Sequence, residues 1–151
     1  EAVDVGQKFL ALVDYAHTPD AVIRTLSTAR SLTSGRVIAV LGCGGDRDKS
    51  KRPIMGAALR SGADLAIYTS DNPRSEDPLV ILAEMVDAVE DERQVVEPDR
   101  RSAIAMAVLE AEPGDCVIVL GKGHERGQEV LGIKYPFDDR IELARAIEEL
   151  S

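Results

Sequence analysis

Short apolar runs alternate with helical patterns along the whole sequence, and this alternation constrains the fold more than any other feature. The apolar runs lie at residues 9–13, 37–41, 65–68, 94–96 and 115–120. Between the first two runs, Val22, Leu26 and Ala29 recur at the spacing of one helix face. Strands that are apolar on both faces are typical of a parallel sheet covered by helices on both sides. The sequence therefore predicts an α/β fold that is Rossmann-like and doubly wound, with a mostly parallel sheet and helices on both faces.

Capping residues indicate where the helices begin. Thr18 stands directly before a proline, which suits the first position of a helix, and Asp99 and Asp138 precede two later helical patterns. A further helix is predicted from residue 78 to about Val89. The segment at 128–133 is expected to form either an edge hairpin or a bulge.

Size and composition fit a single domain over residues 1–151. The net charge of −9 argues against a nucleic-acid or anionic-membrane partner. No apolar stretch approaches the roughly 20 residues that span a bilayer, and no secretory signal is visible. We therefore expect a cytoplasmic protein, in which Cys43 and Cys116 are small buried or half-buried thiols rather than a disulfide or a metal-binding pair.

Polar loops follow four of the predicted strands. In open α/β sheets, ligands bind at the carboxyl ends of the strands, where such loops gather. In the first loop, the Asp14 carboxylate can accept hydrogen bonds from ribose hydroxyls, and His17 can reach phosphates or an adenine edge. The alternative is that Asp14 and Thr18 only cap the loop and that His17 is merely exposed.

The second loop, residues 42–51, combines three glycines with charges of both signs, among them Arg47. Its glycines allow a sharp turn and a close approach of the backbone to a ligand. The loop matches neither of the phosphate-binding patterns G-x-x-x-x-G-K-[ST] and G-x-G-x-x-G. A charged, solvated turn is therefore the alternative.

The third loop presents Asp71, Asn72, Pro73 and Arg74 in succession. Pro73 fixes its own φ and restricts the residue before it, so the neighbouring polar side chains have little freedom. The planar guanidinium of Arg74 can pair with a carboxylate through two parallel hydrogen bonds. A turn that only caps the next helix is the alternative.

The fourth loop, residues 121–125, joins two glycines to the carboxylate of Glu125. A carboxylate and exposed backbone carbonyls can together hold an ammonium group, whereas His124 taken alone is more often structural. The four loops thus offer arginines for carboxylates and an acid for an amine, which indicates a pocket for an amino-acid zwitterion. Neither a nucleophile–base pair nor a metal-ligand cluster has recognisable spacing. The pattern therefore indicates a substrate binder more than a complete catalyst.

Four of these motifs occur in the order typical of one enzyme family. They are DYAHTPD at 14–20, GCGGDRDK at 42–49 with KRP at 51–53, DNPR at 71–74, and GKGHE at 121–125. Over essentially its whole length, the chain resembles the C-terminal domain of the Mur ligases, in particular of the members that add 2,6-diaminopimelate. The resemblance implies a cytoplasmic, monomeric, ATP-dependent ligase of bacterial peptidoglycan synthesis.

The resemblance also implies roles for individual residues. The residues that it assigns to diaminopimelate are Arg47, Asp71, Asn72, Pro73, Arg74, Gly121 and Glu125. Arg47 and Arg74 would pair with carboxylates of that ligand. Gly121, through its carbonyl, and Glu125 would hold the distal ammonium group.

Within the family, ATP phosphorylates the D-glutamate carboxylate of UDP-N-acetylmuramoyl-L-alanyl-D-glutamate, and the incoming amino group attacks the acyl phosphate. Asp14 and His17 match the segment that faces the nucleotide. ATP and Mg²⁺ would be bound mainly by a central ATPase domain, and the precursor by an N-terminal domain. Neither domain, and no P-loop, lies within these 151 residues. We therefore expect no metal site, no assigned catalytic residue and no ligase activity from this stretch alone.

Two other hypotheses remain open at this stage. One is a relative that adds lysine, or a folylpolyglutamate-type ligase. Arg74 favours diaminopimelate over lysine, because lysine lacks the distal carboxylate that an arginine would recognise. The other hypothesis is a non-catalytic binding module for a small zwitterion.

Overall fold

The computed structural model of the chain describes residues 1–86 and 92–150 and contains the predicted parallel sheet. Its strands are β1 (Leu10–Asp14), β2 (Val37–Leu41), β3 (Leu65–Tyr68), β4 (Gln94–Val96) and β5 (Cys116–Leu120). They lie in the order β1-β5-β2-β3-β4, and every neighbouring pair is parallel. The chain therefore builds outward from β1 to β4 and then returns to insert β5 between β1 and β2.

Within the described residues, four helices connect these strands and a fifth follows β5. They are α1 (Pro19–Leu32), α2 (Arg52–Gly62), α3 (Pro78–Met85), α4 (Arg100–Glu110) and α5 (Asp139–Glu148), and a short 3₁₀ turn at Lys49–Lys51 precedes α2. The predicted caps are confirmed, because the side chains of Thr18, Asp99 and Asp138 each accept a hydrogen bond from a backbone N–H in the first turn of the following helix. The third helix ends at Met85, and its predicted end at Val89 lies outside the described residues.

The helices cover both faces of the sheet, as predicted. Along β2, the side chains of Ala39 and Leu41 pack in a core cluster with α1, α2 and α3, whereas those of Ile38 and Val40 pack with α4 and α5. Successive side chains of a strand point to opposite faces, so a run that is apolar throughout supplies both clusters. The doubly wound prediction is therefore confirmed.

A separate hairpin follows β5. It consists of β6 (Gly127–Val130) and β7 (Ile133–Pro136), which pair antiparallel in a two-stranded sheet of their own. The sequence predicted an edge hairpin or a bulge at 128–133. The hairpin is separate from the main sheet, in which β1 and β2 occupy the two sides of β5.

All the main strands point the same way, so the loops after β1, β2, β3 and β5 gather at one edge of the sheet. This edge includes the place where the order of the strands reverses around β5, which is where ligands of doubly wound sheets bind. Within the described ranges, no helix is long and apolar enough to cross a membrane.

Candidate functional site

A cavity of about 440 Å³ opens at the carboxyl edge of the sheet. The predicted site residues that line it are His17, Arg47, Asp71, Asn72, Arg74, Gly121 and Glu125. Tyr15, Lys51 and Arg52, which the sequence analysis did not assign, also line the cavity. Asp14 and Pro73 are not part of its lining. The fold therefore brings most of the predicted residues of all four loops to one place.

Asp14 is engaged in the turn that follows β1. Its carboxylate accepts the backbone N–H of Ala16 at 2.9 Å and the hydroxyl of Thr25 at 3.5 Å. The next residues turn outward, where the rings of Tyr15 and His17 lie 4.8 Å apart, centre to centre. The structure thus places His17 at the cavity and gives Asp14 a role in shaping the loop. A nucleotide-facing role for either residue stays a prediction.

The glycines of the second loop bring it against the third loop. The N–H of Gly45 donates to the carbonyl of Asn72 at 2.7 Å. A side chain at Gly45 would overlap the carbonyl oxygen of Pro73, and one at Gly42 would overlap the carbonyl oxygen of Thr69. The sequence predicted close approach to a ligand. In the structure, these two glycines allow the second loop to pack against the backbone that follows β3.

Arg74 is held from both sides by backbone hydrogen bonds to the hairpin. Its N–H donates to the carbonyl of Glu129 at 2.9 Å, and its carbonyl accepts from the N–H of Leu131 at 2.8 Å. Its φ of +53° lies in the left-handed region, which non-glycine residues rarely adopt. The guanidinium Nη1 donates to the carbonyl of Gly45 at 2.9 Å, and Nε lies 3.6 Å from the Glu129 carboxylate. The hairpin therefore sets the conformation of the residue that was predicted to select the ligand.

Lys122 lies beneath the cavity with its side chain fully buried. Its ammonium donates to Asn72 Oδ1 at 2.9 Å and to Glu125 Oε1 at 3.4 Å, and it lies 3.6 Å from Asp71 Oδ1. The preceding residue, Gly121, has a φ of +109°, and a side chain there would come within 2.9 Å of the Asp71 carboxylate. The sequence analysis quoted the lysine within its motif but assigned no role to it.

Arg52 is a second buried cation that the sequence analysis did not assign. Its guanidinium lies 2.7 Å from the Glu76 carboxylate and 3.0 Å from that of Glu84, and it donates to the carbonyl of Gly44. The hydrogen bond from Arg52, together with one from the N–H of Asp46, lowers the pKa of Glu76 from 4.5 to about 2. Arg52 therefore fastens the glycine loop to the loop after β3, and its charge is already matched by carboxylates.

Arg100 is a buried cation that supports two of the site loops from below. Its guanidinium is buried and donates to the carbonyls of Ser70 at 3.0 Å and Leu120 at 3.1 Å, the residues directly before Asp71 and Gly121. It also forms a buried ion pair with Asp139. Burial acts to lower the pKa of Arg100, but the charge and hydrogen bonds of Asp139, together with the charges of Asp71 and Glu125, raise that pKa.

Cys43 also lines the cavity. Burial, with the negative charge of Asp71 adding to it, raises the pKa of the Cys43 thiol to about 12. The thiol is therefore protonated near neutral pH and is a poor nucleophile. Across residues 1–86 and 92–150, no group of three or more His, Cys, Asp or Glu side chains is arranged to hold a metal ion.

The cavity carries charges of both signs. Its cations are Arg47, Lys51, Arg52 and Arg74, and its carboxylates are Asp48, Asp71 and Glu125. Arg47 is exposed, and its guanidinium donates at 3.3 Å to the carbonyl of Asp46, so it keeps donors for a ligand. Such a lining suits a ligand that carries both carboxylate and ammonium groups.

The fold and this cavity define the class of protein. The family described as Mur ligase, glutamate ligase domain, matches residues 1–123, so the chain belongs to the Mur ligase family. The resemblance predicted from the four motifs is confirmed.

Within that family, the similarity is high to ligases that add diaminopimelate. The UDP-N-acetylmuramoyl-L-alanyl-D-glutamate–2,6-diaminopimelate ligase of Streptomyces coelicolor is 56% identical over 156 residues, which cover 99% of this chain and 31% of that protein. The Streptomyces avermitilis ligase of the same name is 54% identical, with the same coverage. A solved structure of a ligase of this name superimposes with a TM-score of 0.93 at 44% identity, covering 99% of this chain and 31% of that one. The chain therefore spans about a third of the length of the relatives it matches.

Proposed function

We propose that this chain is the C-terminal, amino-acid-binding domain of an ATP-dependent ligase that joins meso-2,6-diaminopimelate to UDP-N-acetylmuramoyl-L-alanyl-D-glutamate. The observation that supports this most is the cavity lined by both signs of charge, with Arg74 held at its wall by the hairpin. Ligases of this name are the relatives described above. The same coverage supports treating residues 1–151 as one domain of a longer enzyme.

The two arginines recognise the carboxylates of diaminopimelate in this proposal. The guanidinium of Arg74 uses Nη1 for the carbonyl of Gly45, which leaves further N–H donors for a carboxylate. Arg47 offers an exposed guanidinium at the same cavity. A guanidinium matches the planar, two-oxygen geometry of a carboxylate better than an ammonium does.

The fourth loop recognises the distal ammonium group. The Gly121 carbonyl and the Glu125 carboxylate supply acceptors, and Asp71 adds negative charge from the third loop. Asn72 and Pro73 shape the loop around this end of the ligand. An ammonium group has three donors, so several acceptors from two loops can satisfy it.

In the proposed reaction, ATP transfers its γ-phosphoryl group to the D-glutamate carboxylate of the precursor. The diaminopimelate amine then attacks the acyl phosphate, and inorganic phosphate leaves as the amide forms. This domain binds and orients the amino acid, with Asp14 and His17 facing the nucleotide. As the family resemblance implies, ATP and Mg²⁺ are assigned mainly to a central ATPase domain of the full-length, cytoplasmic enzyme.

Ligation by the full-length protein tests this function. We expect ADP release and amide formation to require ATP, the UDP-linked precursor and diaminopimelate, with lysine a poor replacement. The 151-residue chain alone serves as the control, because it should show no ligation. Preference for lysine would support the lysine-adding alternative, and amino-acid binding without ligation by the full-length protein would support a non-catalytic module.

A further inference from the structure

We infer that Lys122 is a positioning residue of the amino-acid site, an inference that rests on the function proposed above. Its side chain is fully buried and is not part of the cavity lining, so its ammonium does not meet the ligand. It contacts three side chains that do line the cavity: Asp71, Asn72 and Glu125. Lys122 therefore acts on the ligand through its partners.

A buried ammonium group is costly unless oxygen atoms surround it. Those of Lys122 come from two loops that are 50 residues apart in sequence, since Asn72 follows β3 and Lys122 follows β5. The ammonium thus ties the third loop to the fourth loop. The carboxylates of Asp71 and Glu125 both lie close to the Lys122 ammonium, with oxygen atoms 3.6 and 3.4 Å from Nζ.

The balance of charge around Lys122 favours a cationic ligand group. One ammonium lies between two carboxylates, so it neutralises one negative charge and leaves a second for the ligand. Without Lys122 the two like charges would repel each other. Lys122 therefore holds both carboxylates close to one ammonium group.

Lys122 is also connected to the carboxylate end of the site. Asn72 Oδ1 accepts from Lys122 and, at 2.9 Å, from the N–H of Glu129. The carbonyl of that same Glu129 accepts from the N–H of Arg74. A continuous set of hydrogen bonds therefore runs from the buried ammonium to the backbone of Arg74.

Substitution of Lys122 in the full-length ligase tests this role. In Lys122→Met, we expect the KM for diaminopimelate to rise at least about tenfold, as for loss of hydrogen bonds to charged groups. The kcat at saturating diaminopimelate and the KM values for ATP and the precursor should stay within about threefold. The matched control is Lys8→Met, because Lys8 is exposed and precedes β1 at the opposite edge of the sheet.

The remaining outcomes are also decisive. An unchanged KM for diaminopimelate in Lys122→Met would overturn the inference, and so would equal losses in all three KM values. If Lys122→Met does not fold, Lys122→Gln, which keeps a hydrogen-bond donor, should show the same selective rise. Failure of both variants to fold while Lys8→Met folds would assign Lys122 a purely structural role and overturn the inference. Failure of the wild-type enzyme to use diaminopimelate would instead overturn the proposed function, and this inference with it.

Discussion

The guanidinium of Arg100 donates two parallel hydrogen bonds to the carboxylate of Asp139, at 2.8 and 2.7 Å, and neither side chain is exposed. The same guanidinium donates to the carbonyl of Leu120, at the end of β5, and to that of Ser70, two residues after β3. The fourth and third site loops begin directly after these two residues. A buried pair of this kind costs much to break, because the remaining charge has no partner.

Arg100→Met should therefore lower the free energy of unfolding by about 3–5 kcal/mol. Arg101→Met is the matched control on the same helix. The Arg101 side chain is 59% exposed, and its buried partner Glu142 keeps an ion pair with Arg145 when Arg101 is replaced. Loss of such a partly exposed pair should cost about 1 kcal/mol. Urea denaturation followed by circular dichroism measures both. Equal losses of unfolding free energy in the two variants would contradict the claim that the buried ion pair of Arg100 stabilises the fold.

The contact between the second and third loops predicts different costs for two adjacent glycines. A side chain at Gly45 would overlap the backbone carbonyl of Pro73, whereas one at Gly44 would meet side chains: the end of Arg74 at 2.9 Å and Cγ of Arg47 at 3.5 Å. Gly45→Ala should therefore destabilise the protein by about 1–3 kcal/mol more than Gly44→Ala, because backbone yields less readily than a flexible side chain. Thermal or urea unfolding of the two variants decides this. A Gly44→Ala variant that is the less stable of the two would show that the loops pack differently.

The Glu76–Arg52 ion pair predicts a dependence of stability on pH. The pKa of Glu76 falls from 4.5 to about 2 in the folded protein. Its contribution to stability is therefore present above about pH 4.5 and is lost as the pH falls toward 2. The difference in unfolding free energy between wild type and Glu76→Gln should shrink over this range. Urea titrations of both proteins at pH 6 and at pH 2.5 give the difference in unfolding free energy at each pH. If this difference is the same at the two pH values, the lowered pKa of Glu76 is contradicted.

The sequence predicted much of the fold because the signals are local. An uninterrupted apolar run marks β2 at Val37–Leu41, and a side-chain cap with a following proline marks the start of α1 at Thr18. The four polar loops could be assigned to one edge because parallel strands all end there.

The sequence did not predict the buried charges or the support of Arg74. Lys122 and Arg100 look like ordinary polar residues in sequence, since Asn72 lies 50 positions from Lys122 and Asp139 lies 39 positions from Arg100. The hairpin's contact with Arg74 is equally non-local, because it joins β6 to a loop that precedes it by more than 50 residues. A lysine two residues after the apolar strand β5 was a local signal that pointed to burial.

The role assigned to Arg74 is the central claim, and binding of two amino acids to the full-length enzyme tests it most directly. Calorimetric titrations with diaminopimelate and with lysine should be compared for wild type, Arg74→Ala and the control Arg101→Ala. Arg74→Ala should weaken diaminopimelate binding by about 1.5–3 kcal/mol more than lysine binding, because only diaminopimelate has the distal carboxylate. Arg101→Ala should leave both affinities unchanged. An equal loss of affinity for the two amino acids in Arg74→Ala would contradict the claim.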